Sequence, residues 1–336
     1  MQEKRVTQKD IALAAGLTGP TVSLALRHHP SIPKATRGRI LAIADKLGYV
    51  RDPVRSVLAT YRWPHSQMKR STIAIALVEF VESRDRHAPG YPHDVRRGAM
   101  ERAKALGFTV SIFRLSRYQG DVGQMLRAIH RRGIKGIVLL PSDNPVTLDV
   151  QAGWDNFSVV TATTAILAPR FHQVIPNQLY NMSTLLERLQ QLGQWRIGAI
   201  FSEGYDERTT HSYSMALAWF GHRDRILILP GELTAPGNDR RVKAWLRRQK
   251  LDLVFTPDAS GLTQLWRTKK THGTSANVRL ASPAAYFKQF PELIGAAAVR
   301  VLNGLLNDNE TGIPTHPQVT TIDGAIREET IPKSLR

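Results

Sequence analysis

Residues 5–58 read RVTQKDIALAAGLTGPTVSLALRHHPSIPKATRGRILAIADKLGYVRDPVRSVL, and this stretch decides the fold of the N-terminal part. Thr7 precedes a run with Ile11, Ala14 and Ala15 on one helical face, the position of an N-cap. Gly16 follows as the stop, because glycine adopts the left-handed conformation of a helix C-cap without strain. Thr18 caps a second helix with Pro20 in its first turn, where the missing N–H leaves no bond unmade. Val22, Ala25 and Leu26 form the apolar stripe of that helix. The segment from Pro30 to Pro33 breaks the chain, and a third helix follows with Ile40, Leu41, Ala44 and Leu47 inward and Gly48 at its end. Three short helices with a tight turn between the first two can set the second in the DNA major groove.

Charge supports that reading. Arg27, Lys34, Arg37, Arg39 and Lys46 fall on the polar sides of the pattern. Through residue 70 there are 13 Lys and Arg against 4 Asp and Glu, half of the chain's net excess of +18 in about a fifth of its 336 residues. Such concentration is the footprint of phosphate binding. The competing reading is a solvated helical bundle with a basic surface.

The run VTQKDIALAAGLTGPTVSLALR, the pair Thr36-Arg37 and LGY at 47–49 resemble the headpiece of the LacI/GalR family of bacterial repressors. The resemblance implies a helix-turn-helix domain over 1–50 and a hinge helix and linker over 51–70. It also implies that Leu58 enters the minor groove, where an apolar wedge kinks DNA in return for contact surface. The DNA-contacting candidates are Thr7, Thr18, Gly19, Pro20, Thr21, Ser23, Leu24, Arg27, His29, Thr36, Arg37, Arg55 and Leu58. Family members usually read bases from the positions held here by Gly19, Pro20 and Leu24. None of these three can make a bidentate hydrogen bond to a base edge, although Pro20 and Leu24 can meet a thymine methyl. Arg55 suits a narrow minor groove. Between Leu58 and Ile73 the linker is longer than usual, and Trp63-Pro64 ends any hinge helix.

The remaining chain alternates strand-like and helix-like segments. Short apolar runs at 73–80, 109–115, 136–141, 158–163, 196–202, 226–229, 251–255 and 278–281 suit buried parallel strands. Amphipathic segments such as 93–106 and 177–192 lie between them, and this alternation predicts a doubly wound α/β fold. The segments GYPHDVRRGAMERAKALGFTVSIF at 90–113 and QFPELIGAAAVRVLNGLL at 289–306 resemble the two-lobed, periplasmic-binding-protein-like effector domain of the same family. That resemblance implies an effector-binding and dimerisation domain over 71–336. One lobe would comprise about 71–164 and 291–316, the other about 165–290 and 317–330, with the final strand near 318–323 returning to the second.

Ligands of such folds bind at the carboxyl ends of the strands. The lining candidates are Glu79, Tyr91, His93, Ser142, Asp143, Thr163, Ser202, Tyr205, Arg208 and Asp258, although for any single one the solvated loop residue is the commoner case. Tyrosine and arginine are the types that stack on and fork around a sugar. The family's effector signatures are altered: Pro257 precedes Asp258, the register around Ser212-Tyr213 is shifted, and the segment from Ala281 to Gln289 is short.

Other classes find little support. The chain lacks a Gly-x-Ser-x-Gly elbow, a phosphate-cradling Gly-x-x-x-x-Gly-Lys loop and a His-Glu-x-x-His helix, and no cofactor motif is present. His87 and His93 flank one loop, too few ligands for a metal site. Zero cysteines exclude disulfides, and a polar N-terminus without a long apolar run predicts a cytoplasmic protein. The sequence is therefore read as a homodimeric transcriptional regulator, a repressor of carbohydrate-utilisation genes. It would bind pseudo-palindromic double-stranded DNA and answer to a sugar-like effector. The alternatives are a regulator with a non-sugar effector or none, and a solute-binding or carbohydrate-acting α/β protein.

Overall fold

A computed structural model describes residues 6–26, 31–49, 73–80, 90–142, 145–193, 196–231, 234–256, 279–281 and 286–331. The hinge and linker, with Arg55 and Leu58, lie outside them, as do Arg27, His29, Asp143 and Asp258.

The headpiece has helices α1 (Gln8–Ala15), α2 (Gly19–Leu26) and α3 (Lys34–Lys46). Gly16 turns the chain with φ 64°, and its N–H and that of Leu17 return to carbonyls of α1. The small core is built on Ile11, Val22, Ala25, Ile32 and Ile40, with Ile43 and Tyr49 packed around it. Two positions expected inside are exposed, Ala14 and Leu47. The buried face of α1 runs through Ile11, Ala12 and Ala15, which rotates Ala14 outward, and Leu47 sits on the C-cap beyond the last turn of α3.

The α/β part contains two parallel sheets. β1 (Ala74–Glu79), β2 (Thr109–Arg114), β3 (Gly136–Leu139), β5 (Ser158–Thr161), β7 (His172–Pro176) and β13 (Val319–Ile322) form the first, in the order β13-β7-β5-β3-β1-β2. β8 (Ile197–Ser202), β9 (Ile226–Leu229), β10 (Leu253–Phe255) and β11 (Arg279–Ala281) form the second, in the order β11-β10-β8-β9. Two small pairs complete the strands: β4 (Val146–Thr147) with β6 (Ile166–Ala168), and β12 (Phe287–Lys288) with β14 (Ala325–Ile326). β3 is buried along its whole length, as a strand covered on both faces must be.

Helices cover the sheets. α4 (Tyr91–Ala105) and α10 (Pro291–Asp308) pack on one face of the first sheet through Val95, Ala99, Ile294, Ala298 and Leu302. α5 (Val122–Arg131) covers the other through Met125, Leu126 and Ile129. In the second lobe α6 (Gln178–Leu192) and α8 (Ser212–Trp219) share a core with Phe201 and Phe255, while α9 (Asn238–Arg248) packs Val242 and Leu246 on the opposite face. The short helix α7 (Glu203–Arg208) follows β8 directly.

The chain passes between the sheets after β7, after β12 and after β13. This differs from the expectation that the final strand joins the second lobe: β13 pairs in register with β7 of the first sheet, Val319 opposite Gln173 and Ile322 opposite Pro176. The backbone ladder holds β13 there, and His172 on β7 adds to it. Its Nδ1 accepts the Gln318 N–H at 3.1 Å and its Nε2 meets Glu310 at 2.8 Å, which fastens the chain after α10 to β7. Among the described residues, the chain from β14 to Ile331 goes on to the second lobe. The first lobe thus runs through 73–176 and 290–322.

Candidate DNA-reading face and effector cleft

Two places in the fold gather candidate functional residues. In the headpiece, the Thr7 backbone N–H donates to Asp10 Oδ2 at 2.7 Å and its hydroxyl reaches the same oxygen, which fixes the start of α1. The Thr18 and Thr21 hydroxyls lie 2.8 Å apart, and the Thr18 carbonyl accepts the Val22 N–H, which fixes the start of α2. Val22 and Ala25 face the core; Thr18 and Pro20 are exposed, with Gly19, Thr21, Ser23 and Leu24 half-buried. Leu24 packs partly against the headpiece core.

The arginines divide their work. Arg39 donates to the Ala15 carbonyl at 2.8 Å and Arg37 to the Ile32 carbonyl at 3.0 Å, so both brace the helices. Thr36, beside Arg37, is half-buried, and Lys9, Lys34 and Lys46 stand exposed. A helix-turn-helix of this form presents the outer face of its second helix to base edges and its flanking cations to phosphates.

The second place lies at the carboxyl ends of the parallel strands. Glu79 ends β1, with its carboxylate held at 2.9 Å by Arg96 of α4 and at 2.9 Å by Arg114 of β2. Tyr91 opens α4, followed by His93, whose ring lies 3.2 Å from Asp94. Ser142 follows β3 and is buried. Thr163 follows β5 and accepts the Ala165 N–H at 3.0 Å, a local turn bond that fixes its side chain. From the second lobe, Ser202 caps α7 by accepting the Tyr205 N–H at 3.3 Å. α7 then carries Tyr205 and Arg208. The Arg208 guanidinium lies 4.9 Å from the centre of the Tyr205 ring and donates to the Ser142 carbonyl at 3.3 Å, a bond between the two lobes.

Sequence reasoning overlooked the aromatic setting of that arginine. Tyr205 forms a triangular cluster with Phe201 and Tyr213, its ring centre 6.0 Å from each and theirs 6.1 Å apart. Burial pushes the phenols of Tyr91, Tyr205 and Tyr213 upward, and the Arg208 charge pulls in the opposite direction. All three therefore act as neutral hydroxyls. Sequence spacing offered no signal for this stack, because Phe201 and Tyr213 lie on different elements. Next to it, Asp206 is buried and bonds His211 at 2.8 Å, while Thr210 and His211 both take positive φ between α7 and α8. The Tyr205 ring and the Arg208 guanidinium, backed by the buried Phe201 and Tyr213, thus stand beside Ser142 near the carboxyl ends of the strands. Among the described residues no group of three or more His, Cys, Asp or Glu could hold a metal ion. No helix among them is long and apolar enough to cross a membrane.

The architecture defines a class: a helix-turn-helix domain followed by a two-lobed α/β domain with parallel sheets. Residues 7–52 match the family model "Bacterial regulatory proteins, lacI family". The chain is 28% identical over 187 residues to the "HTH-type transcriptional regulator GntR" of Escherichia coli (strain K12), covering 52% of this chain and 55% of the relative. It is also 28% identical over 195 residues to the "Maltose regulon regulatory protein MalI" of the same organism, covering 58% and 53%. The matched region spans about half the length of these curated relatives. Among solved structures, a transcriptional regulator CelR–cellobiose complex shares the fold with TM-score 0.53 at 17% identity, covering 96% of this chain and 98% of that one. The lac repressor dimer bound to operator and the anti-inducer ONPF does so with TM-score 0.53 at 15% identity, with the same coverage.

Proposed function

We propose that this protein is a sequence-specific DNA-binding transcriptional regulator, a homodimeric repressor whose α/β domain takes a sugar-like small molecule. The observation that carries the reading is the capped helix-turn-helix over residues 7–52, matched to the lacI family, on a chain whose basic excess is concentrated at the same end. In this reading α2 enters the major groove. Exposed lysines of the headpiece neutralise phosphates, and two headpieces meet a pseudo-palindromic operator because protein symmetry is mirrored in the half-sites. The effector would bind among Tyr91, Tyr205, Arg208, Ser142 and Thr163 and change the bond between Arg208 and Ser142. A ligand shifts the lobes only by binding one arrangement better than the other. Repression of carbohydrate-utilisation genes and a cytoplasmic site of action belong to the same proposal, and no catalytic step is assigned.

The test is selection of duplexes from a random DNA library by the full-length protein at roughly physiological salt, which suppresses non-specific electrostatic binding. The expected result is a two-fold symmetric motif. Binding that enriches no motif and vanishes as salt rises would overturn the proposal.

A further inference from the structure

The outer face of α2 is unusually poor in groups that read base edges by hydrogen bonding. Helical rotation sets Pro20, Ser23 and Leu24 opposite the buried pair Val22 and Ala25. Thr18 and Thr21, the other polar side chains of this segment, turn their hydroxyls to each other at 2.8 Å in the cap. A hydroxyl already engaged in a cap is a weak reader, because reaching a base would leave the start of the helix unsatisfied. Ser23 supplies the remaining hydroxyl of α2, and a single hydroxyl fits a donor or an acceptor and so discriminates poorly between bases.

What the face does offer is apolar surface. Pro20 stands exposed in the first turn, the part of a recognition helix that approaches the bases most closely. Gly19 before it has no side chain to hold the backbone away, and a Cβ at that position would project into open space. Leu24, one turn on, is half-buried with its inner side on the headpiece core. In the major groove the one apolar feature of a base pair is the C5-methyl group of thymine, which a 5-methylcytosine shares.

We propose that α2 reads its half-site through C5-methyl groups, with Pro20 as the residue that determines specificity. The methyl packs on the pyrrolidine ring and the adjoining side of Leu24, removing apolar surface of both partners from water. This inference rests on the DNA-reading function proposed above.

Its test starts from the duplex selected by the full-length protein. Each thymine of the half-site is replaced singly by deoxyuridine, which deletes the methyl and leaves every base-pairing and groove hydrogen-bonding group in place. At one thymine or more the affinity should fall about fourfold, the scale of one buried methyl group. Pro20→Ala, which preserves the helix because alanine is the best helix former, should shrink that difference, because one methyl group replaces the ring while Leu24 remains. Cytosine at the same position should bind better when methylated at C5. Unchanged affinity for all uridine duplexes, or a uridine penalty as large in Pro20→Ala as in the parent, would overturn methyl reading by Pro20 while leaving sequence-specific DNA binding intact. Failure of the selection to yield any motif would instead overturn the DNA-reading function, and this inference with it.

Discussion

At the residue scale, His222 shows how one buried side chain sets a pH dependence. It lies between α8 and β9, is 7% exposed, and its Nδ1 faces Arg225 Nη1 at 3.4 Å. Arginine can only donate, so Nδ1 must accept, and the ring is neutral with its proton on Nε2. Burial lowers the pKa of His222 and the Arg225 charge lowers it further. The unfolded chain, with an ordinary histidine near 6.5, therefore binds the proton first as pH falls. Stability from this group is complete above about pH 6.5, declines as pH falls towards the depressed folded value, and levels off below it. His222→Gln should flatten the change in urea midpoint between about pH 7.5 and pH 5.5 relative to the parent. Equal changes in the two proteins would show that His222 is not the titrating group. The headpiece arginines teach a related lesson: Arg37 was read as a DNA contact from its position in the sequence. Its bond to the Ile32 carbonyl became visible only once the chain was folded.

At the scale of elements, the helix pair α4 and α10 holds the first lobe together through two glycines. A Cβ on Gly98 would overlap the Glu292 carbonyl, and one on Gly295 would overlap the Val95 carbonyl. The backbones touch there, and neither can retreat without moving a helix off the sheet. Gly98→Ala should destabilise the fold by about 1–3 kcal/mol, the usual cost of overpacking. Gly304→Ala, later on α10 with open space around it, should instead stabilise by about 1 kcal/mol through helix propensity. Chemical denaturation of the two variants measures both signs; a Gly98→Ala variant as stable as the parent would mean the helices slide freely. Legibility of the fold divided along the same lines. β1, β3, β8 and β10 announced themselves as continuous apolar runs because parallel strands are covered on both faces. β7, with the sequence HQVIP, alternates and ends in proline, so it gave no such run. β13, as VTTI, was readable as a strand, yet its lobe is set by pairing with β7, nearly 150 positions away, which no local pattern encodes. The cleft followed suit: the residue types at Tyr91, Tyr205 and Arg208 were legible, whereas the bond between Arg208 and Ser142 required the two lobes to meet.

For the whole molecule, the proposed function needs a dimer, since a single headpiece meets only half of a symmetric operator. Among the exposed apolar side chains of the described surface, those of α8 and β9 are candidates for meeting a second copy of the chain. On α8, Met215 is 57% exposed and Trp219, one turn later, is 87% exposed, while Ile228 on the edge strand β9 of the same lobe is 40% exposed. An indole left in water at the end of a well-packed helix is the kind of anchor that dominates interfaces. Trp219→Glu would place a charge in such an interface while disturbing little of the isolated chain, because the side chain has almost no contact within it. The variant should keep the parent's denaturation midpoint but sediment as a monomer at concentrations where the parent is dimeric. Its operator affinity should then fall by about a hundredfold or more, because the second headpiece loses the effective concentration that linkage to the first provides. Affinity for an isolated half-site, measured in parallel, should stay unchanged, since the reading helix is untouched. A dimeric Trp219→Glu protein would move the interface elsewhere on the molecule. A monomeric one with undiminished operator affinity would mean that the two headpieces bind without mutual support, and the two-fold mode of action would fall.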